Sequence, residues 1–540
     1  HTVGKQTRII EADNRYAVPG LLDAHMHVES GMLTITEFAR AVIPHGTTAM
    51  FIDPHEMANV FGLRGVRLMV DEAQRQLIHV FVQMPACVPS APGLETPGET
   101  IGPNEVAEAM TWPGIIGLGE VMNFPGVAAG DDKLLAEIDT ALAADKVIGG
   151  HYASMDLGRM FHGYAAGGIQ DDHEGTREQD AVQRIRQGMQ VLLRYGSAWH
   201  DVAAQVPAIN HQNLNASRFS LCTDDSHCGT LVHEGHMDRV VREAIHAGIP
   251  YMTTLQMATI NTAVHFKVSH EIGMIAPARF ADLLLVGDLE HFQPEVVICK
   301  GQILAEKGKL LVELPENRYP DWALHSIHIP RKLTPKDFKI KLPRHLMSSG
   351  VVAHVIGILE NQAPTQHLKL PVAIRNGEVS LEGHKDLAKV AVIERHHGSG
   401  EIQLGLVQGF GFTGPCGVAT SVSHDCHNLV VVGTNDADMA LAANRLRESG
   451  GGQTVVKDGQ VIAAVDLPIG GLMSNRTATQ IAGEVAEVLE GFRTCGCQLN
   501  NPNMQLSLLA LVVIPELRIS NLGLVDVNQF DFIPLLERAE

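Results

Sequence analysis

The chain contains few cysteines, fewer basic than acidic residues and no long apolar run. Its 8 cysteines in 540 residues are too scattered for a disulfide framework, which makes the cytoplasm the expected compartment. Lys and Arg total 41 against 61 Asp and Glu, so the formal charge of −20 disfavours nucleic acid and anionic membranes as partners. The most apolar run, 507–514, is much shorter than the roughly 20 residues that a membrane helix requires.

What the chain does contain is typical of a folded enzyme. Hydrophobic residues make up 45% and charged residues 19%, which excludes a disordered chain, and the length predicts several domains. No signal peptide is visible, and because His1 stands just before a predicted strand, we expect the N-terminal portion to be missing. The unusual feature is the number of histidines, 28, and their positions must show whether they form a site.

Short apolar segments that end in polar residues alternate with helical patterns between residues 16 and 224. One helix is predicted from Leu134, Ile138 and Leu142, which form an apolar stripe behind the acidic residues Asp131 and Asp132. Eight strands with intervening helices predict an α/β fold with a (β/α)8 TIM-like barrel rather than an open doubly wound sheet. The predicted strands are 17–23, 47–53, 80–86, 115–120, 147–151, 168–172, 191–194 and 219–224.

After residue 276 the pattern changes to closely spaced strands and hairpin turns. Segments 281–286 and 296–301 are predicted strands of a small β-sandwich domain, which also takes in the strand at the start of the chain. A Pro- and Lys-rich connector separates it from a third region that mixes strands with a helix over 436–448. The predicted division is 1–17 and 277–314 for the β-domain, 18–276 for the barrel, 315–343 for the connector and 344–540 for a C-terminal α+β domain.

His25 and His27 form an H-x-H motif at the end of the first predicted strand. Because residues i and i+2 of a strand point to the same side, the two imidazoles can bind one metal ion together. Among 28 histidines such a pair is as readily expected by chance, so the motif alone does not establish a site.

Four further predicted strand ends carry residues of the same chemical kind, namely Glu120, His151, His173 and Asp224. In a (β/α)8 barrel the C-terminal ends of the strands meet at one face, where such enzymes keep their active sites. Imidazole and carboxylate ligands suit Zn²⁺, Fe²⁺ or Mn²⁺, and six ligands are more than one four-coordinate catalytic ion uses. The pattern therefore predicts two divalent metal ions per chain, bridged by a carboxylate.

Several longer segments resemble a known family. Residues 19–27, the ligand order H-x-H, Glu, His, His, Asp, and residues 277–283 are similar to the amidohydrolase superfamily. The resemblance is closer to its bacterial adenine deaminases, through the segments 25–30, 53–60, 119–126, 172–174, 222–225, 423–428 and 432–435. It implies hydrolytic deamination of adenine to hypoxanthine and ammonia, with a small-molecule purine as substrate and Mn²⁺, Fe²⁺ or Zn²⁺ as the ions. Glu120 stands where many superfamily members use a carboxylated lysine, which implies that it bridges the ions.

The resemblance also implies roles in proton transfer. Water activated by the two ions attacks C6 of adenine, and Asp224 is both a ligand and the base that takes the proton. N1 of the ring must also be protonated, and the candidate acids are Asp53, His55, Glu56 and Glu29, the last also as a substrate-binding residue. Each has a structural alternative: Asp53 caps a loop, His55 and Glu56 are solvated loop residues, and Glu29 is an anion at a helix entry.

A second set of residues is predicted to bind the substrate rather than the metal ions. Asp225 follows the predicted base and either contacts the purine ring or supports a ligand. His424, Asp425 and His427 have a spacing that suits a lid over the barrel mouth or an additional metal ion, whereas an ordinary polar turn is the alternative. We predict that all four residues contact the substrate.

Three other functions are compatible with these residues: deamination of an N6-substituted adenine, hydrolysis of a cyclic amide, and a metal-bound barrel without turnover. The presence of Asp224 beside a complete ligand set disfavours the last of these. The zinc base-deaminase signature is excluded, because Cys416 lacks the second cysteine three residues later. A homo-oligomer, with a dimer favoured, is the expected assembly.

Overall fold

The computed structural model describes residues 3–212, 214–346 and 350–539, and its N-terminal half alternates strands with helices. Each strand predicted between residues 16 and 224 has an observed counterpart, and the predicted segment 17–23 is divided between two strands. The elements up to residue 265 are, in chain order, β1 (Tyr16–Pro19), β2 (Leu21–His27), α1 (Ile35–Val42), β3 (Thr47–Ile52), α2 (His55–Ala73), β4 (His79–Met84), α3 (Pro103–Ala109), β5 (Ile115–Val121), α4 (Phe124–Ala129), α5 (Asp132–Ala143), β6 (Val147–Gly150), α6 (Arg159–Ala166), β7 (Asp171–Asp172), α7 (Glu178–Arg186), β8 (Gln190–Arg194), α8 (Val202–Asn210), β9 (Phe219–Cys222), β10 (Asp224–Asp225), α9 (Cys228–His233), α10 (Met237–His246), α11 (Tyr251–Met257) and α12 (Ile260–His265).

Strands β2 to β10 form the barrel. Six of them pair in the order β10-β2-β3-β4-β5-β6, and β7-β8-β9 form a second parallel sheet. The two sheets are joined on one side because only Thr223 separates β9 from β10. On the other side the Gln170 N–H donates to the Ile148 carbonyl between β6 and β7, at 2.9 Å. The structure thus confirms the predicted (β/α)8 barrel.

The barrel strands are buried on both faces, as parallel strands are when helices cover them. Every residue of β2 and β3 is buried, which explains why these segments read as largely apolar rather than alternating. Helix α5 begins where the stripe of apolar residues predicts, because the Asp131 carboxylate accepts the Leu134 N–H at 2.9 Å. With strands and helices so arranged, the carboxyl ends of all the strands open toward one face.

Strands on either side of the barrel sequence form a small antiparallel sheet. Its members after the barrel are β11 (Leu283–Val286), β12 (Pro294–Cys299), β13 (Gln302–Glu306) and β14 (Lys309–Leu310). The order is β1-β11-β12-β13-β14, so the strand that precedes the barrel pairs with one that follows it. The chain enters the barrel at Gly20, where a Cβ atom would lie 2.2 Å from Thr48 Oγ1, a contact that only glycine avoids.

The C-terminal region combines helices with one large sheet. Its elements are α13 (Asp321–Leu324), β15 (Val351–Ile358), β16 (Thr365–Pro371), β17 (Ala373–Arg375), β18 (Glu378–Ser380), β19 (Leu387–Ile393), β20 (Ile402–Gln408), β21 (Cys416–Thr420), β22 (Leu429–Gly433), α14 (Asp436–Ser449), β23 (Gly452–Lys457), β24 (Gln460–Asp466), α15 (Ala478–Thr494), α16 (Pro502–Leu508), β25 (Leu517–Ile519), β26 (Leu524–Asp526), β27 (Asp531–Ile533) and β28 (Leu536–Arg538). Eight strands pair in the order β16-β15-β20-β19-β22-β21-β23-β24, and β28 adds to β15. Helix α15 lies on β24 and contacts α9, so this region packs directly against the barrel. The five-segment division of the chain is kept as a proposal.

Two expectations from composition can be compared with these elements. All 8 cysteines are buried and free, so they form no disulfide framework. Among the helices of the described residues, none combines the length and the apolar character that a membrane crossing requires.

Candidate active site

The six residues predicted as metal ligands lie together at the carboxyl ends of the barrel strands. His25 and His27 belong to β2, Glu120 to β5 and Asp224 to β10, and His151 and His173 follow β6 and β7. Five of the six are nearly inaccessible to solvent, whereas the His151 side chain is 25% exposed. This convergence follows from the parallel barrel, which brings each strand's C-terminal end to the same face.

The six side chains form three overlapping groups, in each of which three possible ligand atoms lie within 4.8 Å of one another. The groups are His25, His27 and Glu120; His25, His173 and Asp224; and Glu120, His151 and His173. Because His25, Glu120 and His173 each belong to two groups, the six residues make one continuous cluster, called the ligand cluster below.

Glu120 lies between the two ends of the ligand cluster. Its Oε1 atom is 3.0 Å from His27 Nε2, whereas its Oε2 atom is 2.6 Å from His151 Nδ1 and 3.4 Å from His173 Nε2. Burial would raise the pKa of Glu120, but the imidazoles of His27 and His151 outweigh burial and hold this pKa well below its ordinary value. Each oxygen of one ionised carboxylate therefore faces a different part of the cluster, as a bridging ligand must.

Two buried imidazoles of the cluster have a ring nitrogen without a hydrogen-bond partner. These are Nε2 of His25 and Nε2 of His173, whose rings stack with their centroids 4.1 Å apart. Burial, and next the neighbouring His173, lower the pKa of His25 well below its ordinary value, so this ring is neutral and its lone pair is free. An unpartnered neutral imidazole beside the ionised carboxylate of Glu120 fits a divalent cation.

The Asp53 side chain and main chain both support the ligand cluster. Asp53 Oδ2 accepts the backbone N–H of Glu120 at 2.9 Å, and the Asp53 carbonyl lies 2.9 Å from His27 Nδ1. This approach requires glycine at 119, where a Cβ atom would lie 2.1 Å from Asp53 Oδ2. Burial, and next the charge of Glu120, raise the pKa of Asp53 to about 6. Asp53 therefore orients two predicted ligands, and its catalytic role stays a prediction.

Asp224 stands where β9 passes into β10, with a φ angle of 58° in the left-handed region. Its Oδ1 atom is 3.4 Å from His27 Nε2 and 3.9 Å from His25 Nε2, whereas its Oδ2 atom accepts a hydrogen bond from Arg194 at 2.9 Å. Burial, and next the charge of Asp225, raise the pKa of Asp224 to about 6. One carboxylate oxygen is therefore directed into the ligand cluster while the other is held outside it.

Glu29, His55 and Glu56 form a buried polar group beside the ligand cluster. Glu56 Oε2 is 3.8 Å from His27 Nδ1 and has no hydrogen-bond partner, and both ring nitrogens of His55 are also unpartnered. Burial, and next the charge of Glu56, raise the pKa of Glu29 well above its ordinary value, which favours a proton on Glu29. His55 and Glu56 are only 4% and 5% exposed, so they are not solvated loop residues.

Asp225 is half-buried next to Asp224. Its Oδ1 atom accepts a short hydrogen bond from Ser30 Oγ. Burial would raise the pKa of Asp225, but the charge of His27 and the bond from Ser30 hold it below the ordinary value. An ionised carboxylate fixed in this way can accept a hydrogen bond from a ligand, so its contact with substrate stays a prediction.

The turn that contains His424, Asp425 and His427 reaches the barrel face from the C-terminal region. Asp425 Oδ2 and His427 Nε2 are buried and have no hydrogen-bond partner. Burial would lower the pKa of His424, but its bond with Asp425 and the charge of Glu56 raise this pKa to about 9. Burial would raise the pKa of Asp425, but its bond with His424 and the charge of His55 hold this pKa below its ordinary value. Charged groups of the turn and of the barrel therefore lie close enough to shift one another's pKa.

Hydrogen bonds fix this turn on the barrel. Asn428 Nδ2 donates to the Thr96 carbonyl in the loop after β4 at 2.9 Å, and Asn521 Oδ1 accepts the Thr96 N–H at 3.0 Å. His397 Nε2 lies 2.9 Å from the Pro97 carbonyl in the same loop. Within the part of the chain that the structure describes, no group of three ligand atoms within 4.8 Å includes a residue of the turn, so nothing supports an additional metal ion there.

Arg194 and Glu174 contact the ligand cluster but are absent from the predicted site. Arg194 is the last residue of β8 and donates to both Asp224 and Glu174. Glu174 Oε1 is 3.7 Å from His173 Nε2 and 3.9 Å from His151 Nδ1. The rule that strand ends carry site residues could have found Arg194, because predicted strand 191–194 also ends in a charged side chain. Because the rule is applied only to residue types that bind metal ions, it does not include an arginine.

Comparison with known proteins extends over almost the whole chain. A family model described as "Amidohydrolase family" matches residues 16–304, and one described as "Adenine deaminase C-terminal domain" matches residues 362–531. Adenine deaminase of Ruegeria sp. (strain TM1040) is 55% identical over 537 residues, which cover 99% of this chain and 89% of the relative. Adenine deaminase 3 of Rhizobium meliloti (strain 1021) is 53% identical over 538 residues, covering 100% and 90%. Among solved structures, beta-aspartyl dipeptidase from Fervidobacterium islandicum AW-1 matches at 14% identity and a TM-score of 0.44, covering 58% of this chain and 89% of its own.

Proposed function

Since the chain belongs to the amidohydrolase family and, within it, to the adenine deaminases, we propose that the ligand cluster holds two divalent metal ions. The activity of the chain is hydrolytic deamination of adenine: water forms a bond to C6, the C6–N bond breaks, and hypoxanthine and ammonia leave. The ions proposed are Mn²⁺, Fe²⁺ or Zn²⁺, each of which accepts imidazole and carboxylate ligands. The residues proposed to hold them are His25, His27, Glu120, His151, His173 and Asp224.

The position of Glu120 carries the proposal of two ions rather than one. Its two oxygens face opposite parts of the cluster, at 3.0 Å from His27 and at 2.6 Å from His151. A single four-coordinate ion would leave part of a six-residue donor set unused, and buried polar atoms without partners are costly. Bound at these ligands, divalent ions would lower the pKa of water and so supply a nucleophile near neutral pH.

Asp224 is proposed as the base for this reaction. Its Oδ1 atom faces the ligand cluster and can accept a proton from the attacking water. The same carboxyl group can then give that proton to the amino group, which departs as ammonia. The second proton of the water returns to the acid that protonates N1, so hypoxanthine leaves with a carbonyl at C6 and both acids regain their starting states.

Glu56 is proposed to protonate N1 of the ring, with Glu29 as the neighbour that keeps a proton on the pair. Attack at C6 would build negative charge on the purine unless N1 received a proton. Glu56 Oε2 is buried, unpartnered and 3.8 Å from His27, so it lies beside the reacting end of the site. His55 and Asp53 stay candidates, but Asp53 already bonds the Glu120 N–H through Oδ2.

The turn with His424, Asp425 and His427 is proposed to bind the part of the purine that lies away from C6. Its unpartnered atoms, Asp425 Oδ2 and His427 Nε2, require a hydrogen-bond partner that the protein does not provide. A purine presents ring nitrogens and one N–H at its five-membered ring, which can satisfy such groups. Asp225 and Glu29 would contact the same ligand from the barrel.

Removal of the metal ions is expected to abolish turnover. Dialysis against a chelator should leave no measurable ammonia release from adenine, because no other group in the cluster activates water. Mn²⁺, Fe²⁺ and Zn²⁺ should each restore activity, to different degrees. Elemental analysis of fully active protein should give about two equivalents per chain. A value of one equivalent at full activity would contradict the paired-ion proposal.

Replacement of Glu56 by Gln is expected to lower kcat by about 10²–10⁴-fold with little change in KM, because a general acid acts mainly in the transition state. The control is Glu72→Gln on the same helix, α2. Glu72 is 1% exposed and accepts hydrogen bonds from Thr36 and Tyr319, away from the ligand cluster. That variant should lose thermal stability and keep its kcat. Equal kcat losses in the two variants would remove the assignment of Glu56.

The proposal extends to the assembly and the location of the protein, and each has a direct test. A homodimer is supported by exposed apolar side chains on α11 and α12, such as Met252 and Val264, which are 64% and 59% exposed. Sedimentation equilibrium should give twice the chain mass of 58.3 kDa. A cytoplasmic location is supported by eight free, buried cysteines and is tested by cell fractionation.

A further inference from the structure

Arg194 is a buried cation at the edge of the ligand cluster, and the reaction as proposed above does not use it. It is 4% exposed and ends β8, two strands before β10, which carries Asp224. Burial of a guanidinium is costly unless carboxylates pair with it and its donors are hydrogen-bonded. The hydrogen-bond partners of Arg194 therefore indicate its role in the site.

Three carboxylates accept hydrogen bonds from this guanidinium: one bonds Nε and Nη2, and the other two bond Nη1. Nε and Nη2 lie 2.9 Å from Asp201 Oδ2, in the loop that follows β8. Nη1 donates to Asp224 Oδ2 at 2.9 Å and also to Glu174 Oε1. A planar guanidinium has its donors in a fixed fork, so the pair with Asp201 sets the direction in which Nη1 points.

The bond to Asp224 is made by only one of its two oxygens. Oδ2 is held by Arg194, while Oδ1 faces His27 and His25 at 3.4 and 3.9 Å. Rotation of the carboxylate about its χ2 bond, out of the observed plane, would break the bond to Nη1, so Arg194 holds this plane and keeps the other oxygen directed to the histidines. Arg194 also donates a hydrogen bond to Glu174 Oε1, and the same oxygen lies 3.7 Å from His173 Nε2.

From these contacts we propose that Arg194 is a positioning residue, which holds Asp224 with Oδ1 directed to the attacking water and restrains Glu174 beside His173. This inference rests on the proposed role of Asp224 as base. The side-chain hydrogen bonds of Arg194 that the structure shows go to the carboxylates of Asp201, Glu174 and Asp224. Of these three, Asp224 is the proposed base, so we expect most of the effect of Arg194 on turnover to pass through Asp224.

A double-mutant cycle between Arg194 and Asp224 tests this dependence. Arg194→Gln alone should lower kcat by about 10–100-fold, as residues that orient a metal ligand typically do, with KM changed much less. In a protein that already carries Asp224→Asn, the same change should lower kcat little further, because the group it orients is gone. Two full, multiplicative losses would overturn the proposal.

Arg242 provides a matched control, because it also pairs with an aspartate in the barrel. Its Nη1 atom donates to Asp238 Oδ2 at 2.9 Å and to the Phe292 carbonyl at 3.1 Å, among residues that are not part of the site. Arg242→Gln should lower the melting temperature, keep kcat, and show no coupling with Asp224→Asn. A kcat loss as large as that of Arg194→Gln would mean that removal of any such pair disturbs the site.

Two further readouts separate positioning from loss of metal or of fold. Metal content of Arg194→Gln should stay equal to that of the parent protein, and a loss of one ion would assign Arg194 to metal retention instead. In Arg194→Ala, added guanidinium should restore part of the lost kcat, whereas an unresponsive variant would contradict the proposal. If the unmodified protein itself bound no metal ion, the proposed function would fail rather than the role of Arg194.

Discussion

Asp224→Asn is expected to lower kcat by about 10²–10⁴-fold while KM changes far less, because a general base contributes to the transition state. The amide occupies the same space as the carboxylate but cannot accept a proton from water or give one to the departing amino group. Asn also tolerates the left-handed backbone at this position, where φ is 58°, so the turn between β9 and β10 should be kept. kcat, metal content and melting temperature should be measured on one preparation.

The alternative for Asp224 is a purely structural role at the end of the eighth barrel strand. It predicts a lower melting temperature with nearly normal turnover per folded molecule. Asp225→Asn is a comparison rather than a neutral control: it removes a carboxylate proposed to contact the substrate, so it should raise KM more than it lowers kcat, and it leaves Asp224 in place. Normal kcat in a folded Asp224→Asn protein with its full metal content would exclude Asp224 as the base, and Asp225 would become the candidate.

Glu120→Gln is expected to release at least one metal ion and to lower kcat by about 10³-fold, because an ion contributes several kcal/mol to the transition state. Gln keeps the size of Glu, but its amide nitrogen cannot coordinate a cation as the second oxygen does. The two contacts of Glu120, with His27 and with His151, would then no longer be equivalent. Elemental analysis beside the activity assay measures both effects.

Glu137 offers the control for this change. It is a fully buried glutamate in α5 whose Oε1 atom lies 3.5 Å from Lys133 Nζ, and burial raises its pKa to about 7. Glu137→Gln removes a buried carboxyl of the same size that belongs to none of the candidate ligand groups, so metal content and kcat should not change. If Glu120→Gln kept two ions and normal activity, Glu120 could not be a bridging ligand.

The barrel and the convergence of six side chains could be predicted because both follow from local patterns. Parallel strands buried on two faces read as short apolar segments, and a polar residue at each end lies on the shared face. That rule predicts Glu120, His151, His173 and Asp224, whereas His25 and His27 are also indicated by the H-x-H motif. The rule needs no knowledge of which strands pair, only of where each strand ends.

Other features depend on contacts between distant segments and could not be predicted in this way. Asp53 bonds the Glu120 N–H only because Gly119 leaves room for its carboxylate, a contact across 67 residues. The predicted segment 17–23 is divided at Gly20, where Thr48 lies so close that only glycine fits, and the two halves join different sheets. The contact of Asn428 with Thr96 spans 332 residues, and no periodicity in either segment indicates it.

Contacts such as that of Asn428 with Thr96 bring together segments that are far apart in the chain, and this separation in sequence has a consequence for how the architecture can diversify. The residues proposed to activate water and the turn proposed to hold the far side of the base are encoded about 200 positions apart, from Asp224 to His424. Recombination or drift in the later segment can therefore alter which bases are accepted while the hydrolytic end is inherited unchanged. Selectivity for the base and hydrolytic reactivity can then change independently within a single polypeptide. Chimaeras of related chains joined within 315–343 would show whether the two properties separate.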